Sequence, residues 1–147
     1  GAHFVEGLLR EYMTCCKIHT HNNILAVTDV FLARPALHQV QEWFPGVSLP
    51  VFLHHSERKL LAHKQVVSLL LQLLSALHYL HVPISMAHRD VQPANIFIGV
   101  AQGMVGVVKL AGFYATSTKT ISDNCRRRAR PTKPYTPPEH LTRPPPA

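Results

Sequence analysis

From Leu60 to His81 apolar residues recur every three or four positions, and no other feature constrains the fold as much. Leu60, Lys64, Val67, Leu70 or Leu71, Leu74, Leu77 and Leu80 predict one long helix with a wide apolar face. Pro83 stops it, because proline has no backbone N–H to continue the hydrogen-bond ladder. The densest part, Val66 to Leu77, is interrupted by Ser68, Gln72 and Ser75. It is also shorter than the ~20 apolar residues that a membrane crossing requires. The run therefore reads as a buried helix, and a helix with such a face needs a second layer packed on it.

Strand signals flank the helix. The opening Phe4 to Ile18 has apolar residues at helical spacing and predicts a shorter helix. Ile24 to Leu32 is rich in β-branched and aromatic residues, Arg34-Pro35 breaks it, and Leu37 to Trp43 completes an antiparallel hairpin. Pro45-Gly46 is expected to end that sheet. After the long helix, Asn95 to Val100 and Val105 to Leu110 predict a second hairpin around Gln102-Gly103. Residues 115–136 carry Ser, Thr, Arg, Lys and Pro without periodicity and read as an exposed loop. The fold class is α+β. A chain of 147 residues suffices for one domain. A hydrophobic fraction of 46% excludes a disordered tail.

The net charge of +7 is compatible with anionic partners but names none. Part of the excess lies in the run Arg126-Arg127-Arg128-Ala129-Arg130, read as a solvated basic loop rather than a nucleic-acid patch. His54-His55 and the pair His78 and His81 have no Cys or carboxylate converging on them by spacing, so packed or solvated histidines are the reading. Three cysteines, Cys15 and Cys16 adjacent, form neither a disulfide framework nor a metal motif. That usage suits a reducing compartment such as the cytoplasm. The first residues show no signal-peptide pattern.

The chemistry is concentrated in His88-Arg89-Asp90-Val91-Gln92-Pro93-Ala94-Asn95, followed by the apolar Ile96-Phe97-Ile98. This stretch resembles the catalytic loop of eukaryotic protein kinases, His-Arg-Asp with an Asn five residues after the Asp. The resemblance implies that Asp90 orients a substrate hydroxyl and accepts its proton, while Asn95 holds a metal bridging the nucleotide phosphates. Gln72 to His81 is similar to the helix before that loop. Val40 to Leu49 is similar to the strand and hinge where adenine docks, with Gln41 as gatekeeper and Glu42, Trp43 and Phe44 along the hinge. Glu11 matches the ion-pairing acid of the mobile small-lobe helix, one residue out of the expected spacing from His21-Asn22-Asn23-Ile24. Thr132 to Glu139 resembles the segment ending in Ala-Pro-Glu, and Thr132 falls where serine/threonine kinases keep a threonine near the catalytic Asp.

The departures are as informative. Where kinases carry Asp-Phe-Gly, this chain reads Gly112-Phe113-Tyr114. Magnesium prefers hard oxygen donors, so losing that carboxylate removes its main protein ligand. Gln92 stands in place of the Lys that steadies the transferred phosphate. The sequence contains no Gly-rich phosphate loop and no strand with the nucleotide-binding Lys. It reads as a partial domain, residues 1–42 from the small lobe and 43–147 from the large lobe. ATP and magnesium are the ligands the resemblance implies, with Gly112 against magnesium. The resulting expectation is a pseudokinase that binds or scaffolds a protein partner with weak or absent phosphotransfer. The alternatives are a serine/threonine kinase completed by motifs outside this chain, and a truncated fragment that does not fold. A partial domain also predicts an open apolar patch on the long helix.

Overall fold

The structure, a computed structural model, describes residues 12–13, 16–18, 20–33, 36–56, 60–101, 104–113, 117–118 and 135. Strands β1 (Val27–Ala33) and β2 (Ala36–Gln41) form the expected antiparallel hairpin, with Val30 opposite Gln39 and Phe31 opposite His38. The Phe31 and His38 rings stack across it at 5.1 Å, a cross-strand pair of the kind that stabilises a two-stranded ribbon. A second sheet has the order β3-β5-β6, built from β3 (Gly46–Ser48), β5 (Ile96–Ala101) and β6 (Met104–Leu110). Two short strands, β4 (Met86–Ala87) and β7 (Ser117–Thr118), pair separately. Two α-helices are described from end to end, α1 (Leu49–His55) and α2 (His63–His81). The mixture is α+β, as expected. Among the described residues no helix is long and apolar enough to cross a membrane.

Three local expectations need correction. Pro45-Gly46 does not end the sheet region, because Gly46 begins β3 and pairs with Gly99. A side chain at Gly46 would lie 2.6 Å from the Ile98 carbonyl oxygen and would also meet the Phe44 ring, so glycine is what lets the chain approach β5. Helix α1 was not expected. It has seven residues with Pro50 in the first turn, too short to show a helical period. Part of the 115–136 segment, Ser117–Thr118, is a strand rather than loop. The expected Phe4 to Ile18 helix lies mostly outside the described residues; within them Tyr12 and Met13 are helical, whereas residues 16–18 form a turn and bend, so the helix does not run to Ile18.

Helix α2 forms as expected, with a different face inward. Leu69, Leu73, Ala76 and Leu80 are buried with Ile24, Val27, Ile96, Ile98, Val108, Leu110 and Phe113 in one core. Val67, Leu70, Leu71 and Leu74, four residues of the expected stripe, are instead 41%, 47%, 64% and 58% exposed. Leucines at 69, 70, 71, 73 and 74 offer two overlapping apolar faces, and periodicity cannot choose between them. The open apolar patch expected on this helix is the outward one of the two.

Gln72 and Asn23 join the layers. Strand β6 is at the edge of its sheet, so its outward backbone groups need partners from elsewhere. The Gln72 Oε1 accepts from Val108 N–H at 2.9 Å, and its Nε2 donates to the Gly106 carbonyl at 2.9 Å. Asn23 Nδ2 donates to Gln72 Oε1 at 3.0 Å and to the Val108 carbonyl at 2.9 Å. One step along, Leu110 N–H donates to the Asn23 carbonyl and Leu25 N–H to the Leu110 carbonyl, at 2.8 and 2.9 Å. The edge is thereby closed by a side-chain amide from α2 and by the turn before β1.

Replacing Gln72 by Leu keeps the volume but strands the Val108 N–H and the Gly106 carbonyl. Each buried group left unpaired costs about 1–3 kcal/mol. Urea unfolding of Gln72→Leu is expected to show a loss of about 2 kcal/mol or more, with an unchanged denaturant slope. A loss within error of zero would mean that water replaces the amide.

Candidate functional site

The loop between β4 and β5 rests on a buried histidine. His88 is 1% exposed, and its ring meets Phe113 edge-on at 5.0 Å. The Asp90 N–H points at His88 Nδ1 from 3.2 Å, and His88 Nε2 lies 3.0 Å from the Ala111 carbonyl. These contacts assign the tautomer: Nδ1 accepts, so the proton is on Nε2 and is donated to Ala111. Burial pushes the imidazole below the ordinary histidine range, against the opposing pull of the Ala111 carbonyl and the Asp90 carboxylate. The neutral ring suits both contacts. Arg89 follows with φ of 70°, in the left-handed region where non-glycine residues persist only when their surroundings hold them.

Asp90 is gripped by two amides. Gln92 Nε2 lies 3.0 Å from Asp90 Oδ1 and 2.9 Å from Oδ2. Asn95 Nδ2 donates to the Asp90 carbonyl at 2.8 Å and to Oδ2 at 2.9 Å. Pro93–Asn95 form a single 3₁₀ turn, in which proline's fixed φ fits the first position and Asn95 N–H donates to the Gln92 carbonyl at 3.0 Å. The turn carries Asn95 back over Asp90. The Asn95 carbonyl also accepts from Ala111 N–H at 2.9 Å, which sets Gly112 beside the Asn95 side chain. Gly112 has φ of +80°, and a side chain there would begin 2.6 Å from Asn95 Oδ1.

The positions expected at the gatekeeper and along the hinge divide by direction. Gln41 ends β2 and is exposed, and Trp43 is 89% exposed. Glu42 turns inward, where Oε1 accepts from Ala26 N–H and from Lys109 Nζ, each at 2.8 Å. Lys109 Nζ also reaches the Ile24 carbonyl at 3.3 Å and lies 5.8 Å from the centre of the Phe44 ring. Behind this ion pair is a cavity of about 210 Å³ lined in part by Ile18, His21, Ile24, Val27, Glu42 and Lys109. Sequence reasoning missed Lys109, although it is the only charge in an otherwise apolar strand and so signals a specific partner.

The structure brings together His88, Asp90, Gln92, Asn95, Gly112 and Phe113, and it places Glu42 and Phe44 against Lys109. Glu11, Tyr114, Thr132 and the Arg126–Arg130 run lie outside the described residues. Among the described residues, no group of three or more His, Cys, Asp or Glu could hold a metal ion.

Residues 3–146 match the sequence model of the protein kinase domain. The chain is 31% identical over 97 residues to the meiotic mRNA stability protein kinase SSN3 of Saccharomyces cerevisiae, covering 65% of this chain and 17% of that protein. It is 34% identical over 122 residues to the MAP kinase kinase kinase SSK2 of the same organism, covering 83% of this chain and 7% of that protein. To the serine/threonine-protein kinase SSN3 of Aspergillus oryzae it is 30% identical over 111 residues, 71% of this chain and 26% of the relative. The chain thus spans about a quarter or less of the length of these relatives.

The neutral state of His88 has a consequence for stability. The unfolded chain's histidine titrates near the ordinary value of about 6.5, whereas the folded ring takes up a proton only at lower pH. Between those two values the unfolded state holds more protons. This contribution is therefore intact above about pH 6.5 and lost as pH falls toward the folded value. Melting curves from pH 7.5 to 5 are expected to show Tm falling with acidity. A His88→Gln variant starts lower and falls less steeply. Parallel profiles would assign the acid sensitivity elsewhere, His21 included, whose imidazole burial also holds low.

Proposed function

Because this chain belongs to the protein kinase domain family, we propose that it acts as a kinase-like module that binds or scaffolds a protein partner, with weak or no phosphotransfer. One observation carries the reading: Gly112 offers no carboxylate beside the catalytic loop, and the Asn95 side chain lies against it. Protein kinase domains in general use ATP and magnesium, and the resemblance makes the Gln41–Phe44 backbone the edge for adenine. On the same resemblance His88, Arg89, Asp90, Asn95 and Thr132 are the retained catalytic positions. Here Asp90 is occupied by its own loop, since both carboxylate oxygens already accept from side-chain amides. A carboxylate so engaged is poorly placed to take a proton from an incoming hydroxyl. The outward face of α2 offers apolar surface to a partner. The proposed setting is a reducing compartment such as the cytoplasm, from the cysteine usage.

The second reading is a serine/threonine kinase whose remaining motifs lie outside this chain. It is favoured by the unbroken His88-Arg89-Asp90 and Asn95 spacing, and by relatives that carry the kinase name.

The purified chain, incubated with labelled ATP, magnesium and a generic protein acceptor, is expected to transfer no more label than its Asp90→Asn variant. Magnesium-dependent labelling that Asp90→Asn abolishes would replace the module reading with the kinase one. A cooperative thermal melt of the same chain is expected. Its absence would mark the chain as a fragment that does not fold alone.

A further inference from the structure

The outward face of α2 reads the same from either end. Val67, Leu70, Leu71 and Leu74 form its exposed apolar middle, and the exposed His63 and His78 stand at its two limits. Along the chain these six are spaced four, three, one, three and four residues apart. The order is histidine, aliphatic, two leucines, aliphatic, histidine, with its centre between Leu70 and Leu71. Two-fold contacts between identical chains are isologous: one patch serves both copies, and residues i and j of one meet j and i of the other. Two such helices, laid antiparallel about the Leu70–Leu71 midpoint at the shallow crossing of about 20°, bring like against like. Val67 then faces Leu74 of the second copy, and His63 faces its His78. Apolar side chains fill the middle and histidine rings the rim, which is how specific protein interfaces are built.

Charge points the same way. With the histidines neutral, Lys64 is the only charged residue between His63 and His81, so the face offers little to a partner selected by charge. Antiparallel packing sets the two Lys64 side chains about 20 Å apart along the axis, well past the screening length of about 8 Å. Parallel packing sets them side by side. We infer that this face of α2 is a self-association site, at which a second copy of the chain docks antiparallel with the two-fold axis between Leu70 and Leu71. One pair of helices, each about 28 Å long, makes a small contact. It falls in the range below about 1,200 Å² where association is weak and transient. The inference rests on the module reading above and names its protein partner as another copy of the same chain.

Sedimentation velocity of the whole chain, from low micromolar to a few hundred micromolar, is expected to show a monomer–dimer equilibrium. Leu71→Glu and Leu74→Glu change exposed positions, so each is expected to keep the circular dichroism of the unaltered chain. Each raises the dissociation constant about tenfold or more. Val107→Glu, at an exposed position on β6 rather than α2, leaves it unaltered. Orientation is read by cross-linking, in a background whose three cysteines are replaced by serine. A mixture of His63→Cys and His78→Cys chains is expected to join through a short bismaleimide. Neither variant joins to itself, because like thiols of an antiparallel pair lie about 22 Å apart. Self-joining of either variant, a monomer at every concentration, or a dimer indifferent to both glutamate variants would each overturn the inference. A monomer would leave the face to a different protein or to further residues of a longer chain, and the module reading would stand. Phosphotransfer by a chain that still dimerises would break the module reading and leave this inference standing. Should a glutamate variant fail to fold, the cross-linking pairs, which keep the apolar middle intact, still decide.

Discussion

An edge strand must find partners for its outward backbone groups, and in this chain everything else depends on how β6 does so. The answer is a side-chain amide. Gln72 offers a donor and an acceptor at the spacing of one strand step, and it meets Val108 N–H and the Gly106 carbonyl. Because Gln72 sits between Leu69 and Leu73, the same turn of α2 that buries leucines also closes the sheet. Asn23 extends the closure to the turn before β1. Strand β6 leads directly into Ala111 and Gly112, so the register of this edge sets where the loop from His88 to Asn95 finds its contacts.

The loop repeats the same chemistry on a smaller scale. Side-chain amides from Gln92 and Asn95 hold Asp90, much as amides from Gln72 and Asn23 hold β6. The buried His88 underneath is neutral, with one nitrogen for Asp90 and one for Ala111, which keeps charge out of the core. The ion pair of Lys109 with Glu42 is different in kind. It is partly buried, with the two side chains 13% and 31% exposed, and it fastens Glu42, just after β2, to β6. Such a pair orients more than it stabilises, since desolvation offsets much of the attraction.

How much was legible in the sequence varies with the range of the interaction. The His88 to Asn95 loop could be read because its residue types and spacing are local and specific. The two hairpins and the long helix followed from period and from Pro35 and Pro83, which act on their own neighbours. The inward face of α2 could not be read, because Leu69 and Leu73 compete with Leu70, Leu71 and Leu74 on equal hydrophobic terms. Helix α1 gave too few residues for a period, and β3 is three residues long and exists through its pairing with β5. Gln72 and Lys109 carried a faint signal, polar residues inside apolar runs, that names a need for partners and not the partners.

By itself, then, the sequence determined the family, the order of the two hairpins and the long helix, and the chemical departures at Gln92 and Gly112, since these are written in residue identity and near-neighbour spacing. Only the tertiary structure decided which helix face is core, what closes the edge of β6, and that Asn95 lies on Asp90 in the room left by Gly112. Those outcomes depend on contacts between residues far apart in the chain, and the distances involved are set by packing, which no local pattern encodes.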